Sequence, residues 1–481
     1  MGQEGVAKLR LYRDQYNPKG MTDENSLTNA LLTKPDLISP VLTHLAGRED
    51  KRFPLSFLTE GMGRVKYVND PVWEYNVIGR LDKAVAISVT QTVALGAAHA
   101  RFTLPFAEEW FNEGYVLASP NGYLVRIVRK VGPGTQGYDY ECEVVDPSSS
   151  ATIPTTETAS GQMWVQLFSP NALSGSRGNE SSWVAPSKMT NQIQLIRKSY
   201  RYEGNAQNRV VNVEFNIGGK KSTLWWDFEE YQHMLKWKAE CEYSLWYSEY
   251  NRDANGLIHN KDKNGNAIPL TSGIFDQIPN YDTYGSTLTA SKLKATVRDV
   301  LYGAADSEQM NVVLFTGMGG LEAFDDAMKA EVAQGAYIKN TDPSSFMGGS
   351  GSTLQLGGFF TSYKHIDGHT ITVRHLPLFD YGAKAENSPR HAGTGLPLES
   401  YKMVFLDMSM YDGEPNVYMV SRKGREMIRW AVAGATVPKG FSGNTLRASD
   451  VDGASVHFLK ENGVCIRRAT NSFVLDCTYS V

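Results

Sequence analysis

The residues best placed to do chemistry are the glycines in VVLFTGMGGLEAFDDAM, where an apolar run meets a helical pattern. Gly317 and Gly319 begin a pattern like the G-x-G-x-x-G turn that binds dinucleotides, in which glycines let the backbone approach a pyrophosphate. The third glycine position holds Glu322, whose carboxylate would repel phosphate, and no nearby strand completes a βαβ unit. We therefore predict a tight turn and a capped helix, with nucleotide binding as the minor alternative.

A second phosphate-loop candidate is GGKKST. The P-loop pattern requires a glycine, four residues, and then Gly-Lys followed by Ser or Thr. Here the first glycine position falls on Glu214, and Lys221 stands where the hydroxyl residue is required. The stretch instead predicts a hairpin turn that leads into the next helix, with Ser222 or Thr223 as the N-cap.

Two stretches of the form N-x-D-x-N-G, starting at Asn251 and Asn260, resemble calcium loops. A strong calcium loop starts with Asp and ends with Glu at its twelfth position. Both stretches start with Asn, and their last positions fall on Asp262 and Thr271. Turns are the favoured interpretation, and whether these loops bind an ion is left open.

Three histidines, His365, His369 and His375, cluster in KHIDGHTITVRH. The Asp-Gly pair between the first two predicts a hairpin tip. A metal site needs convergent ligands, and no cysteine or carboxylate partner is evident in the sequence. We expect exposed hairpin histidines, and we predict no catalytic residue, no cofactor-binding residue, no metal ligand and no enzymatic activity.

The bulk composition limits the possible classes of protein. The chain has 481 residues, a formal net charge of −4 and a pI near 6.2, which is too balanced for a surface devoted to nucleic acid. Its four cysteines lack CxxC spacing, so we expect reduced thiols in a cytosolic setting. The N-terminal stretch lacks the apolar core of a signal peptide, and no stretch has the ~20 apolar residues of a membrane span.

The hydrophobic pattern predicts an α+β chain with one dominant helix. Residues 62–130 and the C-terminal stretches are β-rich, residues 224–250 form the longest helical pattern, and residues 289–335 alternate helix and strand.

Four local features complete these predictions. A short helix is expected over 23–33, and Phe106, Trp110 and Phe111 are expected to anchor an aromatic cluster. Two strands are expected within the Gly/Ser/Thr-rich residues 132–190, and the Glu-Asn-Gly sequence at 461–463 predicts a hairpin turn.

The order of these parts resembles the major capsid proteins of tailed double-stranded-DNA bacteriophages with the Hong Kong 97-type fold, most of all those of crAss-like phages. The strand ending in TG before a helix in VVLFTGMGGLEAFDDAM matches a recurrent feature of the axial domain in that family. GRVKYVNDPVWEYNVIGR matches the start of the extended loop, and YMVSRKGREMIRWAVAGATVPKG precedes a terminal β-hairpin.

The resemblance implies a division into six segments. These are an N-terminal arm (1–55), an extended β-loop region (56–131), a Gly/Ser/Thr-rich β insertion (132–190), a peripheral domain with the spine helix 224–250 (191–284), an axial domain (285–415) and a C-terminal β part of the peripheral domain (416–481).

The resemblance also implies a function. Such a protein self-assembles into hexamers and pentamers that form an icosahedral shell around the phage genome. Its expected partners are portal, decoration or auxiliary capsid proteins and a scaffold, with non-specific contact to packaged double-stranded DNA and none to a membrane. Its expected place is the virion, after assembly in the host bacterial cytoplasm. Another virion structural protein (tail, baseplate or head decoration) is the alternative, ahead of a nucleotide-binding enzyme.

Overall fold

The computed structural model describes residues 63–78, 82–173, 178–203, 210–217, 220–302, 310–333, 362–364, 369–411, 413–434 and 449–480. The helix predicted over 23–33 and the hairpin tip predicted beside His365 lie outside the described residues.

Strands dominate the described residues, with one long helix and several shorter ones, which confirms the predicted α+β class. The strands are β1 (Val65–Val68), β2 (Val72–Val77), β3 (Val85–Ala86), β4 (Phe102–Phe106), β5 (Val116–Ala118), β6 (Leu124–Gly134), β7 (Gly137–Val144), β8 (Met163–Phe168), β9 (Ser187–Gln192), β10 (Gln194–Glu203), β11 (Val210–Ile217), β12 (Lys220–Leu224), β13 (Asn280–Tyr284), β14 (Asn311–Thr316), β15 (Ser362–Lys364), β16 (Thr370–His375), β17 (Met403–Asp407), β18 (Met410–Tyr411), β19 (Glu414–Pro415), β20 (Val417–Arg422), β21 (Ile428–Ala433), β22 (Gly453–Ile466) and β23 (Phe473–Cys477).

The α-helices are α1 (Trp225–Tyr247), α2 (Ile274–Gln277), α3 (Ala290–Leu301), α4 (Met318–Ala333), α5 (Leu378–Tyr381) and α6 (Ala383–Glu386). Short 3-10 turns cover Ala97–His99, Leu398–Tyr401 and Ala469–Asn471.

The chain divides into two compact units. The smaller unit runs over Glu74–Met189, and the larger one takes in Met1–Trp73 and Thr190–Val481. The two strands predicted within 132–190 are confirmed as β7 and β8. Both share a sheet with the strands before residue 131, so the predicted boundary at 131/132 falls inside the β6–β7 hairpin. The division into six segments otherwise stays a prediction.

The smaller unit is a closed six-stranded β-barrel. Its strand order is β3-β8-β5-β6-β7-β4, and an antiparallel bridge between Ile87 and Phe106 joins the two end strands. The interior is aromatic: Phe106 packs edge-on to Phe111 with centroids 5.0 Å apart, and both contact Tyr140. Trp110 packs against this core from a partly buried position. The predicted aromatic cluster is therefore confirmed.

In the larger unit, α1 lies across one face of a five-stranded sheet. The strand order is β1-β20-β22-β10, with β21 also paired to β22. Trp237 of α1 stacks on Phe458 of β22 with centroids 5.7 Å apart, and Glu240 accepts from the Lys198 Nζ of β10 at 2.6 Å. α1 has 23 residues and so spans roughly 35 Å, which confirms the helix predicted over 224–250.

The second sheet of the larger unit has six strands in the order β13-β23-β17-β14-β16-β15, with apolar cores on both faces. Alternate residues of β14 point to opposite faces, as the pleat requires. Val312 and Leu314 pack with α3 and α4, whereas Val313 and Phe315 pack with the end of α1 and with α5. The α/β layer predicted over 289–335 is confirmed.

The hairpin turn predicted at 461–463 is wrong, because β22 continues through it as one 14-residue strand. At Asn462 the strand is paired with β10 on one side and β20 on the other, so both backbone edges are occupied. Glycine at position 463 is required by close packing against neighbouring side chains, and not by a turn of the backbone. A Cβ there would overlap the Trp73 ring and lie 2.9 Å from the Thr271 hydroxyl.

The β11–β12 pairing confirms the hairpin predicted at GGKKST. The N-cap prediction is wrong, since Ser222 and Thr223 lie within β12 and α1 begins at Trp225 directly after this strand. The paired strand therefore leaves no loop residue to cap the helix.

Candidate functional site

The candidate site is the junction at which β14 passes into α4. β14 pairs in parallel with β16, and α4 lies between these two strands in the sequence. A βαβ frame is therefore present, and the prediction that it is missing is wrong. The long stretch 334–361 and the additional strand β15 separate the two parallel strands and hide the pattern in the sequence.

The junction glycines are required by close neighbours. A Cβ on Gly317 would lie 2.5 Å from the Asp380 Oδ1 and 2.8 Å from the Ser400 backbone. A Cβ on Gly319 would lie 2.6 Å from the Tyr401 ring, and one on Gly320 would overlap the Thr316 hydroxyl. These glycines let the first turn of α4 lie directly against residues 398–401. This packing confirms the tight turn that the sequence predicts.

The Asp380 carboxylate occupies the N-terminus of α4. Its Oδ1 accepts hydrogen bonds from the Met318 backbone N–H at 2.9 Å and from the Ser400 hydroxyl at 2.5 Å. Ser400 Oγ in turn accepts from the Gly319 N–H at 2.8 Å. A buried carboxylate at this end of a helix is favoured by the helix dipole and by the free N–H groups. The chain's own anion therefore fills the place that a bound phosphate would take.

The Asp380 carboxylate also contacts the His375 imidazole. Ser400, His375 and Asp380 are the residue types of a hydrolytic triad, but they are not connected in the order that such a triad requires. The His375 Nε2 lies 2.5 Å from the Asp380 Oδ2. A nucleophilic serine requires the imidazole between itself and the carboxylate. Here the carboxylate is central and accepts from both other groups, so the His375 imidazole does not stand between the serine and the carboxylate as a general base would.

The carboxylate partner of His375 is a feature that the sequence interpretation missed. The expectation of histidines without such a partner is wrong for this residue, because the short α5 returns Asp380 to the end of β16. His369 is also engaged, since its Nδ1 accepts from the Met310 N–H at 3.0 Å. Pro377 before a four-residue helical run was the available signal for this return of the chain.

The two N-x-D-x-N-G stretches are self-contained turns, which confirms the interpretation as turns. The Asp253 Oδ1 accepts from the backbone N–H groups of Asn255 and Leu257 at 2.9 and 2.8 Å. The Asp262 Oδ1 does the same with two backbone N–H groups of its own turn. The glycine of each turn has a positive φ, 80° at Gly256 and 84° at Gly265.

Local hydrogen bonds set the acidity of these two carboxyls. The pKa of Asp253 is lowered first by the Leu257 N–H and then by His259. The pKa of Asp262 is lowered first by the Asn266 side chain and then by the backbone of the same residue. Each carboxylate is thus held in its charged form by its own loop.

A partly buried polar network joins α1 to the six-stranded sheet. The Tyr247 hydroxyl donates to the Glu399 Oε1 at 2.5 Å, and the Lys402 Nζ lies 3.2 Å from that oxygen. The same ammonium lies 3.5 Å from the Asp476 Oδ2 on β23. Burial raises the pKa of Asp476; the Lys402 ammonium opposes that shift, and the nearby Glu399 carboxylate adds to it. This network fixes the end of α1 over the sheet.

Among the described residues, neither the geometry of a metal site nor that of a membrane-spanning helix is found. No three His, Cys, Asp or Glu side chains converge there as metal ligands. No described helix is long and apolar enough to cross a membrane.

Comparison with known proteins gives a family over nearly the whole chain. The model of the crassvirus major capsid protein family matches residues 3–479. The major capsid protein of Bacteroides phage crAss001 is 22% identical over 496 aligned positions, which cover 95% of each chain.

Solved structures give a weaker likeness. A protein of Microbacterium phage Oxtober96 matches with a TM-score of 0.36 and 12% identity, over 94% of this chain and 97% of that one. The capsid of a native GTA particle matches with a TM-score of 0.33 and 10% identity, over 94% and 99%.

Proposed function

The chain belongs to the crassvirus major capsid protein family, and we propose from this membership that its copies form hexamers and pentamers of an icosahedral shell around packaged double-stranded DNA. As a major capsid protein it is a structural, non-enzymatic component that self-associates in the capsid of a crAss-like phage. This membership agrees with the predicted Hong Kong 97-type fold class.

The observation that carries the proposal is the extent of the family match. Residues 3–479 take in both compact units, so the smaller barrel belongs to the shell protein as much as the larger unit does. The β14–α4 junction counts against the nucleotide-binding alternative, because the Asp380 carboxylate accepts from the helix N-terminus where a nucleotide phosphate would bind.

The finer assignments remain proposals. We propose that α1 is the spine helix of the peripheral domain, that residues 285–415 surround the capsomer axis, and that residues 1–55 reach over a neighbouring copy. Assembly in the host bacterial cytoplasm, portal, decoration and scaffold partners, and non-specific contact with packaged DNA belong to the same proposal. The net charge of −4 supports DNA contact that is weak and non-specific.

The test is assembly of the purified chain. We expect shells, capsomers or tubes by electron microscopy and fast-sedimenting species by analytical ultracentrifugation as protein and salt concentrations rise. Persistent monodisperse monomer under all conditions would contradict the proposal.

Truncation of the N-terminal arm tests its role in assembly separately from that of the remaining chain. Removal of residues 1–55 is expected to lower the helical circular dichroism by no more than the helix predicted over 23–33 accounts for, and to stop assembly before closed shells form. The full chain prepared in parallel is the control. Normal shells from the truncated chain would remove the arm from the proposal and leave the shell function standing.

A further inference from the structure

Three polar side chains form a row across the five-stranded sheet, on the face that α1 covers. Ser421 of β20 is paired in register with Asn462 of β22, which is paired in turn with Gln194 of β10. Paired residues of neighbouring strands point to the same face. We call these three residues the polar row. All are buried, with exposed fractions of 1%, 0% and 3% respectively.

The polar row separates two apolar clusters that both contact α1. On one side, Val464 and Met419 pack with Leu245 near the end of the helix. On the other side, Phe458 packs with Trp237 of the same helix. The contact between α1 and the sheet is therefore apolar at two places and polar between them.

Most polar atoms of the row lack a hydrogen-bond partner. The Ser421 hydroxyl, both polar atoms of the Asn462 amide and the Gln194 Nε2 make no hydrogen bond to any described residue. The Gln194 Oε1 alone is engaged, as the acceptor for the Ser248 hydroxyl at 3.4 Å. Buried polar groups are almost always paired with protein or with ordered water, so a row of unpaired ones requires an explanation.

We infer that the polar row is a site for ordered internal water between α1 and the sheet. Neighbouring strands lie about 4.8 Å apart, so one water can reach side chains on two of them through hydrogen bonds of ordinary length. Two amides and a hydroxyl provide donors and acceptors together, which matches the needs of water. The three side chains of the row are neutral, and the buried ammonium of Lys460, two residues from Asn462 on the same strand face, disfavours a cation there.

This inference is independent of the proposed function, since it concerns the packing inside one copy. The direct test is a density map of the full-length chain, from a crystal or from cryo-electron microscopy and whether or not the chain is assembled, at a resolution that shows ordered solvent elsewhere in its core. Density peaks within hydrogen-bond distance of the Asn462 amide and the Ser421 hydroxyl are expected. A map with ordered solvent elsewhere and none at the row overturns the inference.

The sign of a stability change gives a second test. Asn462→Leu expels water from a hydrated row and leaves the Ser421 hydroxyl and the Gln194 Nε2 unpaired, so we expect Tm to fall by about 2–4 °C. In a dry row the same change removes an unpaired amide and raises Tm. A raised Tm therefore overturns the inference.

Two further variants keep this test interpretable. Ser421→Ala is a smaller change for which the same signs apply, so it decides the question if Asn462→Leu does not fold. Asn416 is a buried, fully bonded asparagine that donates to the Asp407 carbonyl and accepts from the Arg468 N–H. Asn416→Leu should lower Tm whether or not the polar row holds water, because its amide is bonded to protein groups. The fall in Tm measures what the loss of a fully paired buried amide costs.

Discussion

The β14–α4 junction and the turn that follows Asn251 use the same two residue types for different physical reasons. In both, an aspartate accepts backbone N–H groups and a glycine stands close by in space. In the turn, Gly256 has a φ of 80° and open space around its Cα, so backbone conformation selects glycine. In the junction, Gly317 is selected by the atoms of Asp380 and Ser400 pressed against it.

The difference lies in where the partners are in the sequence. The backbone N–H partners of Asp253 lie within four residues of it, whereas Asp380 lies 62 residues beyond its partner Met318. A turn of this kind stabilises itself locally and can form without the rest of the fold. The junction exists only when β14, α5 and the Leu398–Tyr401 turn have come together. Long-range glycines should therefore be far less tolerant of substitution than local ones.

The largest effect is expected for Gly317→Ala. The added Cβ would lie against the Ser400 backbone, which cannot rotate away, so we expect a loss of about 3 kcal/mol in the free energy of unfolding. Urea denaturation followed by tryptophan fluorescence measures it. Gly256→Ala is the matched control, and it should cost about 1 kcal/mol because only the positive φ is strained. Equal costs for the two variants would remove the distinction between the two regions.

Gly463→Ala sharpens the comparison, because this glycine stands in a turn-like sequence yet lies in a strand. We expect a loss of about 1–3 kcal/mol from overlap with the Trp73 ring. A double-mutant cycle with Trp73→Phe, which removes the distal ring atoms, should recover part of that loss. If the losses in free energy of unfolding for Gly463→Ala and Trp73→Phe simply add, overlap with the Trp73 ring is not the reason that position 463 requires glycine.

The smallest effect is expected at the partly exposed carboxylates of the two turns. The folded pKa of Asp253 and of Asp262 is lowered, so their contribution to stability is present above the unfolded pKa and is lost as pH falls through the folded value. Asp253→Asn with Asp262→Asn should therefore lower the urea midpoint slightly at pH 6. That difference should narrow as the pH is brought below 4, and a difference independent of pH would contradict the assignment.

Sequence reasoning succeeded where structure is determined locally. The period of the apolar residues located α1, and the buried run before Gly317 located β14, because both patterns repeat the geometry of a single element. The turns after Asn251 and Asn260 were predictable for the same reason. Their aspartates and glycines act on their own backbone.

The remainder depended on partners distant in the sequence. The Glu-Asn-Gly sequence at 461–463 is a good local turn signal, but pairing with β10 and β20 on both edges of β22 overrides it. The parallel pairing of β14 with β16 was hidden by the intervening residues 334–361. Nor could any local pattern bring Asp380 to the N-terminus of α4, since only the folded sheet does so.

Closure of the barrel in the smaller unit matters for a protein that is crowded against its own copies. An open sheet would offer unpaired backbone N–H and C=O groups to every neighbour, and strand addition between copies is a common route to irregular aggregates. The bridge between Ile87 and Phe106 joins the end strands, so the barrel has no free sheet edge there. Copies can then meet through side chains, whose chemistry is selective, while backbone adhesion between barrels is suppressed.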